Sequence, residues 1–161
     1  MPSFSEQLLA VIAGNAGELR GISDHAAGAK PRGPQTWSNK QELGHLLDSV
    51  TNNRVRFIRA ALDGHYEGPT YDGPGWVELG GYAEMRWVDL VDIWKALNLM
   101  LAGTLARIPP ERLTAPCRIA GAELVTLEFL VEDYIMHMRH HLDHILAREH
   151  QTPYAGSARG L

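Results

Sequence analysis

Four of the eight histidines in this chain of 161 residues fall within eight consecutive positions: His137, His140, His141 and His144. Neutral imidazole is the commonest metal ligand in proteins, and residues four apart on a helix lie on the same face. His137 and His141 are therefore placed to bind one metal ion from the same side of a helix. In the alternative interpretation, the two imidazoles hydrogen-bond to polar groups of the protein or to water.

The segment around these histidines, residues 126–146, is predicted to be one long helix. Its apolar residues recur with helical period and form one arc, which consists of Leu127, Leu130, Val131, Tyr134, Met138, Leu142 and Ile145. His141 lies at the edge of that arc, His137 about 40° further round, His144 further still and His140 outermost. We therefore expect His137 and His141 to point inward and His140 to be solvated. His144 is expected either to contact the inner histidines or to lie at the rim.

A third ligand must come from another part of the chain, and His45 is the first candidate. Side chains on facing helices build the metal sites of helix bundles, and a polar stripe runs along the predicted helix over residues 38–62. The stripe consists of His45, Ser49, Asn52 and Arg56. Against this choice, His45 lies well away from the centre of the helix's apolar face, and periodicity alone would make it exposed. His25 and His65 in predicted loops are lower-ranked alternatives.

Other polar residues could line the same site. Asp133 lies one turn before His137, and Asp48 lies one turn after His45, so each could orient its histidine or simply face solvent. Arg56 could pair with an anionic group of a substrate or be exposed. Ser49 and Asn52 could line the pocket beside it. Cys117, next to a cationic arginine, could be a nucleophile, although a lone cysteine more often packs in a core.

Four amphipathic segments dominate the chain, and none shows the alternation of a strand. Residues 3–19, 38–62, 86–108 and 126–146 have apolar positions at helical spacing. Ser38 with Gln41 matches a capping box, and Thr126 is a suitable N-cap. The sequence therefore predicts an all-α four-helix bundle. A connector rich in Gly, Pro and aromatic residues, 63–85, joins the second and third helices, with a short helical piece expected near residues 75–82.

Length and composition favour a single domain over residues 1–161, with a loose tail at about 152–161. The formal net charge of −4 argues against nucleic-acid binding. No apolar run reaches the ~18 residues of a membrane helix, and the N-terminus does not resemble a signal peptide. The single cysteine suits a reducing compartment. A cytoplasmic protein without a membrane partner is expected.

Three stretches together resemble the DinB/YfiT-like superfamily of four-helix proteins. They are Glu42–Asn53 on the second predicted helix, Asp133–Ile145 on the last, and Gly75–Tyr82 in the connector. The resemblance implies a bundle of the up-down-down-up type in which three histidines hold a divalent metal. Matched residue by residue, these are His45, His137 and His141. The family often has Gln where this chain has His144. His144 could therefore be a fourth metal ligand, or it could alter the pocket.

The resemblance also implies a function. Well-understood relatives are thiol-dependent transferases or isomerases and are commonly homodimers. We therefore expect a homodimeric, metal-dependent enzyme of thiol-transfer type, with Zn or Ni and a low-molecular-weight thiol as its cofactors, acting on a small molecule. Three histidine ligands would leave the open position of a catalytic zinc site. The alternatives are a metal-dependent hydrolase, a non-catalytic metal- or ligand-binding stress-response bundle, and a helical protein whose histidines bind nothing.

Overall fold

The chain is described here by a computed structural model that covers residues 1–149 and Tyr154. Its helices are α1 (Phe4–Arg20), α2 (Asp24–Gly28), α3 (Asn39–Asp63), α4 (Gly73–Gly80), α5 (Trp87–Leu105) and α6 (Leu127–Ile145). Two short 3₁₀ helices cover Tyr82–Glu84 and Pro110–Thr114. The four predicted helices correspond to α1, α3, α5 and α6, so the predicted four-helix bundle is confirmed.

The four long helices close into a ring around one apolar core. Helix α1 packs on α5, α5 on α3, α3 on α6 and α6 back on α1, so α1 and α3 lie across the bundle from each other. The largest side chains in the core are fully buried and include Trp87, Trp94, Phe57, Leu43 and Leu130. The pair that matters most for the polar residues is α3 with α6, because both carry histidines on the sides that meet.

The N-termini of α3 and α6 have the caps that the sequence predicts. The Ser38 hydroxyl accepts a hydrogen bond from the backbone N–H of Gln41, whose side chain accepts one from the backbone N–H of Ser38, which completes the capping box. Thr126 caps α6 through the N–H of Phe129. Helix α3 ends at Gly64, whose φ of 79° is in the left-handed region that glycine adopts without strain. These caps set where α3 begins and ends and where α6 begins.

A small sheet and a short helix were not predicted from the sequence. Strands β1 (Tyr66–Gly68), β2 (Pro116–Ile119) and β3 (Val125–Thr126) form a sheet in the order β1-β2-β3, with β1 parallel to β2 and β2 antiparallel to β3. Strands of two to four residues are too short to show a period of two, which is why they escaped detection. The sheet joins the segment after α3 to the segment before α6, and so ties the two histidine-bearing helices together at one end.

Helix α2 is also short, and one of its side chains, that of Asp24, contacts two of the long helices. The Asp24 carboxylate accepts the backbone N–H of Trp87, the first residue of α5, at 2.8 Å, and pairs with Lys40 on α3 at 3.0 Å. Residue Arg86 gives α5 no side-chain cap, so Asp24 satisfies a free N–H at that helix start from elsewhere in the chain. The short helix therefore connects the beginnings of α3 and α5.

The aromatic connector is pinned to α3 by Tyr82. Its ring lies against Gly44, where a Cβ would come within 2.0 Å of the ring atom Cδ2. Its hydroxyl donates a hydrogen bond to the buried Asp48 carboxylate, one turn further along α3. The expected helical piece in the connector is α4, which begins two residues earlier than predicted because Asp72 caps it. Tyr82 thus has a structural role in the connector.

Within the described residues, no helix is long and apolar enough to cross a membrane. The predicted loose tail at 152–161 lies outside the described part of the chain except for Tyr154, whose ring packs 5.5 Å from that of His137. The assignment of the whole chain to one domain stays a prediction.

Replacing Gly44 with alanine is expected to destabilise the protein, because the new methyl group would overlap the Tyr82 ring and force the connector off α3. Overpacking of this kind costs about 1–3 kcal/mol, which urea unfolding of the Gly44→Ala variant can measure. The matched control is Gly14→Ala on α1, where nothing lies within 4 Å. There the better helix propensity of alanine should raise the free energy of unfolding by up to about 1 kcal/mol. Equal effects at both positions would contradict the proposed packing.

Candidate metal centre

Three imidazole rings meet where α3 packs against α6. The Nε2 atom of His137 lies 3.1 Å from Nε2 of His45 and 3.1 Å from Nε2 of His141. The ring centroids are 4.5 to 5.0 Å apart, and the rings are steeply inclined to one another. One nitrogen of each ring lies within 4.8 Å of the others. The structure therefore brings together the three histidines that the sequence analysis selected.

The local structure explains why these rings converge. His137 and His141 are one turn apart on α6, so both side chains project from one face. His137 is buried, and His141 keeps 16% of its side-chain surface exposed. His45 reaches them from α3, and the centre of its ring lies 5.0 Å from that of Trp37, with the two rings tilted at 41°. Periodicity would make His45 exposed, but α6 and the segment around Trp37 cover that edge of the helix.

Burial keeps two of the three imidazoles neutral. Burial first, and then the electrostatic effect of His141, lower the pKa of His45 to about 4. Burial and the neighbouring histidines also lower the pKa of His137 well below its usual value. Neutral imidazole has a free lone pair on one nitrogen, which is the form that binds a metal. At neutral pH these two residues would therefore bind a cation without first losing a proton.

The spacing of the nitrogens fits a shared cation better than a set of hydrogen bonds. Four ligands at ~2.1 Å around zinc would lie roughly 3.4 Å apart, close to the two observed distances of 3.1 Å. A neutral imidazole carries a single N–H. A proton on Nε2 of His137 could be donated fully to only one of the other two nitrogens. A divalent cation would satisfy all three lone pairs together, so the donor set and its geometry fit a metal.

Behind His141 lies a buried carboxylate, that of Glu42 on α3. Its Oε1 atom is 2.8 Å from Nδ1 of His141 and 2.9 Å from Nδ1 of His144, and its Oε2 atom is 2.6 Å from the guanidinium of Arg32. Burial alone would raise the pKa of Glu42, but hydrogen bonds and charge from His141, Arg32 and His144 outweigh it and hold this pKa below its usual value. Glu42 therefore remains ionised at neutral pH.

The residues of the polar stripe that follow His45 on α3 are buried or half-buried, and the stripe contacts the connector. Asp48 accepts from Tyr82, and burial raises its pKa. Ser49 is buried and hydrogen-bonds to Tyr71. The Asn52 amide donates to the backbone carbonyl of Asp48 within the helix.

Arg56 is buried rather than exposed, and its guanidinium holds the connector. It donates to the backbone carbonyl of Pro69 at 3.1 Å and lies 5.8 Å from the ring centre of Tyr71. These contacts give it a structural role. Its pairing with an anionic substrate stays a prediction.

The remaining residues selected from the sequence fall around the cluster. Asp133 accepts a hydrogen bond from the Tyr154 hydroxyl at 2.9 Å, and its orienting effect on His137 stays a prediction. His144 contacts Glu42 as described above. His140, expected to be solvated, is instead half-buried because its ring packs 4.4 Å from that of His144. Burial raises the pKa of Cys117 to about 11, so its thiol stays protonated, in agreement with a packing role.

Sequence reasoning missed Glu42 and Arg32. Glu42 stands three residues before His45 and was noted only as part of a helical stretch, although that spacing places the two side chains on neighbouring parts of one helix face. Arg32 lies in the loop before α3, ten residues from its partner. No helical period links a loop residue to the helix after it, so the sequence held no signal for this ion pair.

The comparisons with known proteins identify the family and the fold. The sequence matches the profile of the DinB superfamily over residues 7–145. The fold is similar to that of YfiT from Bacillus subtilis, which is described as a probable metal-dependent hydrolase with an unusual four-helix bundle topology. The TM-score is 0.77 at 22% sequence identity, and the match covers 89% of this chain and 82% of that one. No curated protein matches the sequence significantly. Since the family match spans most of its length, the chain belongs to the DinB superfamily.

Proposed function

We propose that this protein is a divalent-metal-dependent enzyme whose metal ligands are the Nε2 atoms of His45, His137 and His141. The observation that carries the proposal is the approach of these three nitrogens, two of them 3.1 Å from the third, in a site where burial keeps His45 and His137 neutral. A set of three protein ligands is the composition of catalytic rather than structural zinc sites, since structural sites use four.

Hydrolysis is the reaction that we propose first. A divalent cation with an open position supplies Lewis acidity and lowers the pKa of bound water to about 7. The structurally similar YfiT is described as a probable metal-dependent hydrolase, which favours the same reaction class here. In this chain the three histidines would hold the cation, and the rings of Trp37 and Tyr154 flank His45 and His137.

Zn²⁺ and Ni²⁺ are the cations that we propose, because imidazole ligands suit both. The thiol-dependent transfer implied by the family resemblance stays a prediction, as do the low-molecular-weight thiol, the homodimer and the cytoplasmic location. A non-catalytic binding role would leave the same three ligands in place but no turnover. Activity measurements therefore separate these functions, whereas metal analysis alone does not.

Alanine at any one of the three proposed ligands is expected to abolish stoichiometric metal binding, because two imidazoles cannot hold the ion tightly. The measurement is elemental analysis of His45→Ala, His137→Ala and His141→Ala, each purified without a nickel resin. His140→Ala on the same helix is the matched control and should keep the full metal content. Full occupancy in His45→Ala would mean that the third ligand is wrongly assigned.

Metal removal is expected to abolish hydrolysis of a panel of ester, amide and phosphoester model substrates. Treatment with a chelator, followed by gel filtration, should leave a folded but inactive protein. One equivalent of Zn²⁺ or Ni²⁺ should then restore the rate in the wild type and not in His137→Ala. The same panel is run with an added low-molecular-weight thiol and an electrophile. Turnover that requires the thiol would replace hydrolysis with a transferase function.

A further inference from the structure

We propose that Glu42 is a positioning residue, whose carboxylate holds His141 in the tautomer with its proton on Nδ1 and so leaves the Nε2 lone pair free for the metal. This inference rests on the proposed function, because it assigns a role to Glu42 in the same site. The role is separate from ligation, since Glu42 contacts the side of the His141 ring away from the other two imidazoles.

The geometry defines which group donates each hydrogen bond. The Glu42 carboxylate is paired with the Arg32 guanidinium at 2.6 Å and as a carboxylate can only accept hydrogen bonds, so both nitrogens that face Oε1 must carry a proton. These are Nδ1 of His141 at 2.8 Å and Nδ1 of His144 at 2.9 Å, distances typical of charge-assisted hydrogen bonds. In the metal-binding form of His141, which carries one proton, that proton is on Nδ1 and Nε2 has only a lone pair. That atom is the one 3.1 Å from Nε2 of His137.

Arg32 prevents the carboxylate from turning. Its Nη2 atom contacts Oε2 of Glu42 at 2.6 Å, and the guanidinium also donates to the backbone carbonyls of Trp37 and His144, each at 3.2 Å. One oxygen of Glu42 is therefore committed to the guanidinium and the other to the two imidazoles. A carboxylate that orients a metal-binding histidine typically raises metal affinity 10–100-fold.

A second arrangement uses the same atoms. Glu42, His141 and His144 also offer three ligand atoms within 4.8 Å of one another, so they could hold a cation of their own. Two features favour positioning over ligation. The guanidinium of Arg32 places a permanent positive charge against Glu42, and ligation through Nδ1 of His141 would compete with its use of Nε2 in the first site.

The decisive variant is Glu42→Gln, which keeps the shape of the side chain but has one oxygen and one amide NH₂ group. Arg32 offers only donors, so the amide oxygen should stay with Arg32 and the NH₂ group should face the imidazoles. Nδ1 of His141 would then accept, and its proton would move to Nε2. We expect Zn²⁺ affinity to fall 10–100-fold, measured by competition with a chromophoric chelator.

Imidazole nitrogen NMR of the metal-free protein tests the tautomer directly. Wild-type His141 should carry its proton on Nδ1, and Glu42→Gln should move the proton to Nε2. The exposed Glu132→Gln on α6 makes the same change of charge and should leave both the tautomer and the affinity unchanged. A proton on Nε2 in the wild type would overturn the proposal, even if Glu42→Gln fails to fold.

A second substitution distinguishes positioning from a general loss of structure. Adding Arg32→Met to Glu42→Gln removes the donors that hold the amide oxygen, so the amide can turn its oxygen to the imidazoles. Zn²⁺ affinity should then recover at least threefold relative to Glu42→Gln alone. A further loss in the double variant would overturn the proposal, because independent structural defects add.

Metal stoichiometry separates the remaining cases. Two equivalents of Zn²⁺ in the wild type, reduced to one in both Glu42→Gln and His144→Ala, would make Glu42 a ligand and overturn its positioning role. If the wild type binds no metal but shows the predicted tautomer change in Glu42→Gln, the orienting effect of Glu42 is supported and the proposed function fails. The two ideas can thus fail separately.

Discussion

The approach of three imidazoles within the contact between α3 and α6 is the constraint on which the other polar features of this protein depend. Burial removes His45 and His137 from water and disfavours their charged forms. The Nε2 atoms of His45 and His137 nevertheless lie 3.1 Å apart, a distance at which two lone pairs repel each other. A proton on Nε2 of His137 could relieve its contact with His45 or with His141, but not both fully. Without a cation the arrangement would lower stability, so the surrounding structure has to hold it in place.

That support comes from two parts of α3. At its beginning, Glu42 and Arg32 link the loop before α3 to His141 and His144 on α6. Further along, Asp48 and Arg56 bind the aromatic connector through Tyr82 and the Pro69 carbonyl, and strand β1 joins that connector to the segment before α6. The α3 side chains among them, Glu42, Asp48 and Arg56, are buried, where hydrogen bonds and ion pairs are stronger than in water and where a missing partner costs most. The site is therefore built into the rigid frame of the bundle.

The sequence predicted the features that repeat along a helix and missed those that depend on contacts between distant segments. Helical period and the caps at Ser38 and Thr126 located the four long helices to within a few residues. The i, i+4 spacing selected His137 and His141. His45 could not be placed by period alone, because its position on α3 is covered only once α6 and Trp37 pack against it; the family resemblance supplied what periodicity could not. The same limit applies to Arg56, which the sequence left open as exposed and which the connector buries.

The contacts of Glu42 are the clearest case of an arrangement that helical period does not predict. They also show that neighbouring histidines on one helix can have different roles. His141 and His144 both direct Nδ1 at one carboxylate oxygen, yet only His141 brings its other nitrogen close to His137. The two residues differ because His144 lies a further three positions along α6, rotated about 60° away from His141 on a helix of 3.6 residues per turn. Chemical identity and local spacing are nearly the same for both. Their rotation on α6 distinguishes them, because only His141 faces both Glu42 and the rings of His45 and His137.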